Sequence, residues 1–357
     1  MRQSPRRPII DLYCLCWNEA AIIPHFLRHY ERLVRRFVVF DNKSTDGSLA
    51  LLEAHPQVQT ASFTVQGESF VQQELDMSNG FCNAGRQDRD GPPNWVLIVD
   101  MDEFLFHADL PAYLQSCTDR DVTAIRAIGY DMVSDGLPDG DAPLPRIITR
   151  GERTMGYDKP FAFAPGAIGE PRFTPGRHGA YPTGRVVWPA RPEVALLHYK
   201  HLGAAYSRRR NTMLRGGLKP GDLAKGWGSH YLRTEAEVDR EFRRLNAAAA
   251  VVPGLPGGPP RSTLGVEEHM IRAGGRFAAS WYLATYPDVA SYGLDPIAHF
   301  HHRGWRESRR PHPDCDPRSY LAGLDPADPS VRNPYFAYLT RAGPGRGAPI
   351  VLPRAGG

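Results

Sequence analysis

Residues 95–104, WVLIVDMDEF, decide the fold class. A continuous apolar run of this length, from Trp95 to Val99, is the pattern of a central strand buried on both faces of a sheet. In an open α/β sheet ligands bind beyond the carboxyl ends of the strands, so Asp100 and Asp102 emerge where a ligand would sit. Two carboxylates spaced i, i+2 share one side. Held close together they cannot both stay ionised without a cation or a shared proton. A hard divalent ion resolves that conflict and also neutralises a diphosphate.

Upstream, short apolar runs alternate with helix-like stretches, which predicts a mostly parallel sheet with flanking crossover helices. PIIDLYCLCW (residues 8–17) is the first strand, followed by Asn18 and Glu19 and then by helical spacing in AAIIPHFLRHYERL, where Pro24 is tolerable only in the first turn. RFVVF is the second strand. It ends in the turn cluster DNKSTDGS, which opens a helix over SLALLEAH. VQTASFTV is a third strand, and a helix covers residues 70–86. Two further strand ends therefore carry polar groups, Asn18/Glu19 and Asp41, and Asp41 is favoured for ligand contact because Asp46 with Ser44 and Thr45 already supplies the turn capping.

Downstream, TAIRAIGYDMV is a strand, residues 135–192 are too rich in Gly and Pro to assign, VALLHYKHL is a short buried strand, and a helix spans residues 234–246. The organisation predicted is a catalytic domain over 1–246, a Pro/Gly-rich linker over 247–275, two small helical repeats over 276–343 and a flexible tail over 344–357. The repeats have a period of about 38 residues, Trp281-Tyr282-Leu283 matching Ser319-Tyr320-Leu321 and Phe300 and Arg303 matching Tyr338 and Arg341. Their aromatic residues are expected to pack against one another.

Bulk properties exclude several classes. The 357 residues are 41% hydrophobic with a formal charge of +4, which suits a globular core and favours anionic ligands only weakly. The one compact basic run, Arg208-Arg209-Arg210, is too short for a nucleic-acid groove. Five cysteines without C-x-x-C spacing define neither a disulfide framework nor a zinc site, so a reducing, cytoplasmic setting is expected. No run of 18 apolar residues predicts a transmembrane segment, and the basic start (Arg2, Arg6, Arg7) is the feature that admits peripheral attachment at the inner membrane face.

In that order, CLCWNEAAIIPHFLRHY, FVVFDNKSTDGS and WVLIVDMDEF resemble family 2 glycosyltransferases of the GT-A (Rossmann-like) fold, in the branch whose acidic motif is D-x-D-E-F. The resemblance covers about residues 8–215. It implies nucleotide-sugar contacts at Asn18, Glu19, Asp41 and Asp100, and metal and diphosphate contacts at Asp100 and Asp102. GYDKP, GRHGA and LLHYKH also look like this branch and mark Lys159 and His178 as further donor contacts and His198 as a metal ligand. The acidic base of the family is matched here by no single residue, leaving Asp131, Asp135, Asp158 and Glu170 open. The residues after 276 resemble a module appended to bacterial glycosyltransferases.

The function so implied is transfer of a sugar from a UDP- or GDP-linked donor to a hydroxyl of a glycan or lipid-linked acceptor, with inversion, in cell-surface polysaccharide synthesis. Mn2+ or Mg2+ is the implied cofactor, and imidazole at His198 suits Mn2+ better. Two rivals are a sugar nucleotidyltransferase, which would normally carry a glycine-rich phosphate loop that CWNEAAIIPH lacks, and a non-catalytic carbohydrate-binding scaffold, against which the intact Asp100 and Asp102 argue.

Overall fold

The computed structural model describes residues 7–257, 271, 277–291, 295–315 and 335. The chain forms two compact units, Met1–Pro259 and Pro260–Gly357.

The first unit is an α/β sheet. Strands β1 (Ile10–Cys16), β2 (Arg36–Asp41), β3 (Val58–Ser62) and β4 (Trp95–Ile98) lie side by side in the order β3-β2-β1-β4, all parallel. Helices α1 (Ile23–Tyr30), α2 (Ser48–Glu53) and α3 (Phe70–Arg86) make the crossovers. Pro24 falls in the first turn of α1, where its missing N–H costs nothing. Gly47, at φ +94, turns the chain into α2, and Asp46 accepts the Ser48 N–H at 3.0 Å. Every residue of β4 is buried, as its unbroken apolar run requires. On one face Phe81 of α3 stacks on Tyr13 and Phe40, with ring centroids 5.0 and 5.2 Å apart; elsewhere in the core Phe26 and Tyr30 of α1 meet Phe104.

Beyond β4 the sheet turns antiparallel. The chain continues through β5 (Glu103–Phe106), α4 (Leu110–Asp119), β6 (Ala124–Ser134), α5 (Leu144–Ile147), β7 (Arg150–Arg153), β8 (Pro160–Phe163) and β9 (Val194–Leu202). It ends in α6 (Ala204–Gly217), α7 (Pro220–Ala224), α8 (Glu235–Ala248) and β10 (Ala250–Val251). Strand β8 sits between β4 and β6, antiparallel to both, and β7 and β10 complete that edge. Strand β9 runs parallel to β6 and antiparallel to β5. The segment 135–192 thus holds two strands, β7 and β8, that composition hid. Val252 and Leu255, past the expected domain end at 246, are buried in this unit, and β10 pairs with β7.

In the second unit, helices Ala279–Thr285, Pro287–Ser291 and Pro296–His299 gather Tyr282, Val289, Ile297, Phe300 and Trp305 into a small core. His299 is buried there and bonds to the Tyr282 hydroxyl at 2.9 Å, a packing role rather than a metal site. Gly304 is required, since a Cβ at that position would lie 2.2 Å from the Tyr282 oxygen. The second repeat, at 319–341, lies outside the described residues apart from Tyr335, as do most of the expected linker and the tail.

Candidate active site

Register builds the site. Glu103 of β5 and Asp131 of β6 both lie opposite His198 of β9, so three chemistry-bearing residues stand in one row across three strands. His198 Nε2 is 3.1 Å from Asp102 Oδ2, and its Nδ1 is 3.1 Å from Asp131 Oδ1. The Thr154 hydroxyl donates to the other Asp131 oxygen at 3.0 Å. Burial opposes a charged imidazole, but Asp102 and Asp131 outweigh it and carry His198 up to about 9.

Asp102 is 2% exposed and also takes Arg210 of α6 at 2.9 Å. Burial alone would raise its pKa; Arg210 and His198 reverse the sign and hold it far below the usual carboxylate range. Arg210 also pairs with Glu19 at 2.5 Å. Burial raises the Glu19 pKa despite that partner.

Asp100, 35% exposed at its side chain, faces a second set of cations. Lys159 Nζ lies 3.4 Å from it and 2.6 Å from Glu103, while Arg177 pairs with Asp100 and stands 3.7 Å from Glu103. The turn is closed by the Asp100 N–H donating to Glu103 at 2.9 Å. Burial resists ionisation of Asp100, yet Arg177 and Lys159 lower its pKa. Arg177 is 1% exposed and its Nη1 has no hydrogen-bond partner.

At the ends of β1 and β2 the remaining residues divide. Asp41 is 1% exposed; one oxygen accepts the Ser44 N–H at 3.1 Å and the other, Oδ1, is buried without a partner. Asn18, at φ +55, spends its side-chain oxygen on the Thr45 N–H at 2.7 Å, so it ties two loops together. The Glu19 N–H donates to Ser48 at 2.8 Å, which leaves the Glu19 carboxylate to Arg210.

His178 donates through Nδ1 to the Gly156 carbonyl. Burial and then Lys159 push its pKa down to about 3, so it is neutral. Asp158 is bound by both arms of Arg153, at 2.6 and 2.7 Å, and accepts the Gly129 N–H at 2.8 Å. Glu170 is exposed on the hairpin where Ile168 bridges Gly184.

The structure therefore gathers Glu19, Asp102, Asp131 and His198 about Arg210 in one buried cluster and Asp100 and Lys159 with Glu103 and Arg177 in a neighbouring one, and leaves Asp158 and Glu170 in separate settings. Sequence reasoning missed Arg177 and Arg210, the two guanidinium groups that hold the D-x-D acids. Arg177 lies within GRHGA beside His178, and Arg210 within the RRR run, which is too short for a nucleic-acid groove. Among the described residues, no three His, Cys, Asp or Glu side chains already surround one point in the manner of a metal site.

No protein-family model and no curated protein matches the chain. Among solved structures it is similar to S. aureus TarS 1-349, at 14% identity over 44% of this chain and 47% of that chain, with a TM-score of 0.26. The chain thus spans about half of that structure, and a likeness this slight bears on neither fold nor activity.

Proposed function

We propose that the chain is a glycosyltransferase that moves a sugar from a nucleoside-diphosphate donor to an acceptor hydroxyl with the help of Mn2+ or Mg2+. The observation that carries this reading is the orphan Asp41 Oδ1, buried at the end of β2 on the same sheet edge as the D-x-D acids. A buried acceptor without a donor is costly, and a nucleobase N–H or a ribose hydroxyl would satisfy it. Glu19 and Arg210 border the same edge, and Lys159 and Arg177 supply positive charge for a diphosphate beside Asp100.

We assign three side chains to a divalent ion, which would replace the proton that His198 holds between Asp102 and Asp131 and would have to draw together groups that do not surround one point among the described residues. Asp102 Oδ2 and His198 Nε2 converge at 3.1 Å, and Asp131 on Nδ1 fixes the ring as partners of ligating histidines do. Asp100, the more exposed acid, would complete a donor set of two carboxylates and one imidazole that suits Mn2+. The ion's chemistry there is neutralisation of the departing diphosphate. Both Asp131 oxygens are engaged, so we assign it to orienting His198 rather than to taking the acceptor proton.

A screen of UDP- and GDP-linked sugars for donor hydrolysis tests the reading. It predicts release of nucleoside diphosphate from at least one donor in Mn2+ and loss of release on chelation. Silence with every donor, with and without metal, contradicts it.

A further inference from the structure

Residues 204–233 carry seven Lys or Arg and one acid, Asp222, a larger positive surplus than the +4 of the whole chain. Arg210 turns inward to Glu19 and Asp102, and Asp222 is buried at the start of α3. The other charges face outward: Arg209, Arg215, Lys219, Lys225 and Arg233 are exposed, and half-buried Arg208 pairs with Asp239 at 2.6 Å.

Between α6 and α8 lies a cavity of about 410 Å3 whose lining includes Arg208, Arg215, Arg233 and Thr212, with Glu235 as its one carboxylate. The Asn211 amide donates to the carbonyls of Tyr231 and Arg233, both at 3.2 Å, which pins the Arg233 wall to α6. Arg233 lies within the electrostatic reach of Glu237 and Glu241, but among the described residues neither it nor Arg215 forms a close ion pair with a carboxylate.

The same segment exposes apolar groups. Leu223 is 44% and Leu232 49% exposed, and Lys225 Nζ lies 4.3 Å from the Trp227 ring. Leucine and tryptophan interleaved with Lys and Arg are the composition that a bilayer interface accepts. A surface with five exposed cations attracts anionic headgroups. The exposed leucines separate this surface from one built for a soluble polyanion, which would gain nothing from them.

We propose that the face made by α6, α7 and the turn Ser229–Leu232 docks on an anionic phospholipid bilayer. The cavity takes a headgroup phosphate between Arg215 and Arg233, and Leu223 and Leu232 enter the acyl boundary. Docking is independent of whether the chain transfers sugar, and its test needs no turnover.

The test is flotation of the full chain with vesicles of phosphatidylcholine alone and with about one third phosphatidylglycerol. Wild type is expected to float only with the anionic vesicles, less as salt rises. Arg215→Glu with Arg233→Glu should lower vesicle affinity at least about tenfold, because four charge units change at the surface. Leu223→Ser with Leu232→Ser, which alters no charge, should lower it several-fold. Thr212→Glu, at an exposed position in the cavity wall, provides a third variant should the double substitutions fail to fold. Absence of flotation, or equal flotation of wild type and variants, overturns the proposal. So does a loss confined to the arginine variant, with the leucine variant floating as wild type and inorganic phosphate displacing wild type from the vesicles, which would mark a soluble-phosphate site instead.

Discussion

Asp102 has two tasks that sequence alone does not separate. It stands just past the carboxyl end of β4, and it is also the meeting point of Arg210 and His198 inside the protein. Asp102→Asn should therefore lower donor turnover about 100- to 1000-fold, the scale of a lost transition-state charge stabiliser. It should also cost about 2–3 kcal/mol of stability, because Arg210 and His198 each lose one of two buried anionic partners and keep Glu19 and Asp131. A variant with wild-type hydrolysis and an unchanged melting temperature would contradict both. Gly129 makes a second residue-level test: a Cβ there would come within 2.4 Å of the Tyr157 backbone. Gly129→Ala should destabilise by about 1–3 kcal/mol in thermal unfolding and displace the turn that carries Tyr157 beside His198, 4.1 Å between ring centroids. Glu19, Asp41, Asp100 and Asp102 were legible because they follow apolar runs at strand ends, whereas Asp131 lies inside β6 and had no such mark. Arg177 and Arg210 were not, because a guanidinium in an irregular hairpin or on a polar helix has no local pattern that says it points inward.

At the scale of elements, α7 is fastened to α3 by one carboxylate. Asp222 accepts the Ser69 hydroxyl at 2.5 Å and the N–H groups of Phe70, Val71 and Lys219 at 3.1, 3.1 and 2.9 Å. Burial opposes its charge, but Ser69 and the backbone donors prevail and lower its pKa. A lowered carboxyl pKa gives stabilisation that is complete above the ordinary value of about 4 and drains away as pH falls below it. Asp222→Asn should thus cost about 1–2 kcal/mol near pH 7, and the gap between variant and wild type should close toward pH 3. A gap independent of pH would assign the effect to shape rather than charge. The parallel half of the sheet was readable because β1, β2 and β4 are apolar runs bounded by turn residues. Strand β5 escaped notice because it begins at Glu103, inside the acidic cluster itself. Strand β8 opens on Pro160 in a Gly/Pro-rich region, and proline is tolerated only at such a first position.

For the whole molecule, the first unit closes later than its composition suggests. Strand β10 pairs with β7, the Val252 N–H donates to the Thr149 carbonyl at 2.8 Å, and Leu255 is 3% exposed. A chain ending at Gly257 should unfold cooperatively and keep nucleotide binding. One ending at Asn246 should melt lower, since it forfeits two buried side chains worth about 1.5–3 kcal/mol each. Equal melting temperatures would return the boundary to the one that composition predicts. The catalytic reading depends on neither end but on the edge where β1, β2 and β4 finish. Calorimetric titration of UDP and GDP into the full chain, with and without Mn2+, tests it most directly. The account predicts that one nucleotide binds, that Mn2+ tightens it in wild type, and that Asp41→Asn weakens it while Asp102→Asn abolishes the Mn2+ effect. Binding of neither nucleotide, or binding indifferent to Mn2+ and to both substitutions, would contradict it.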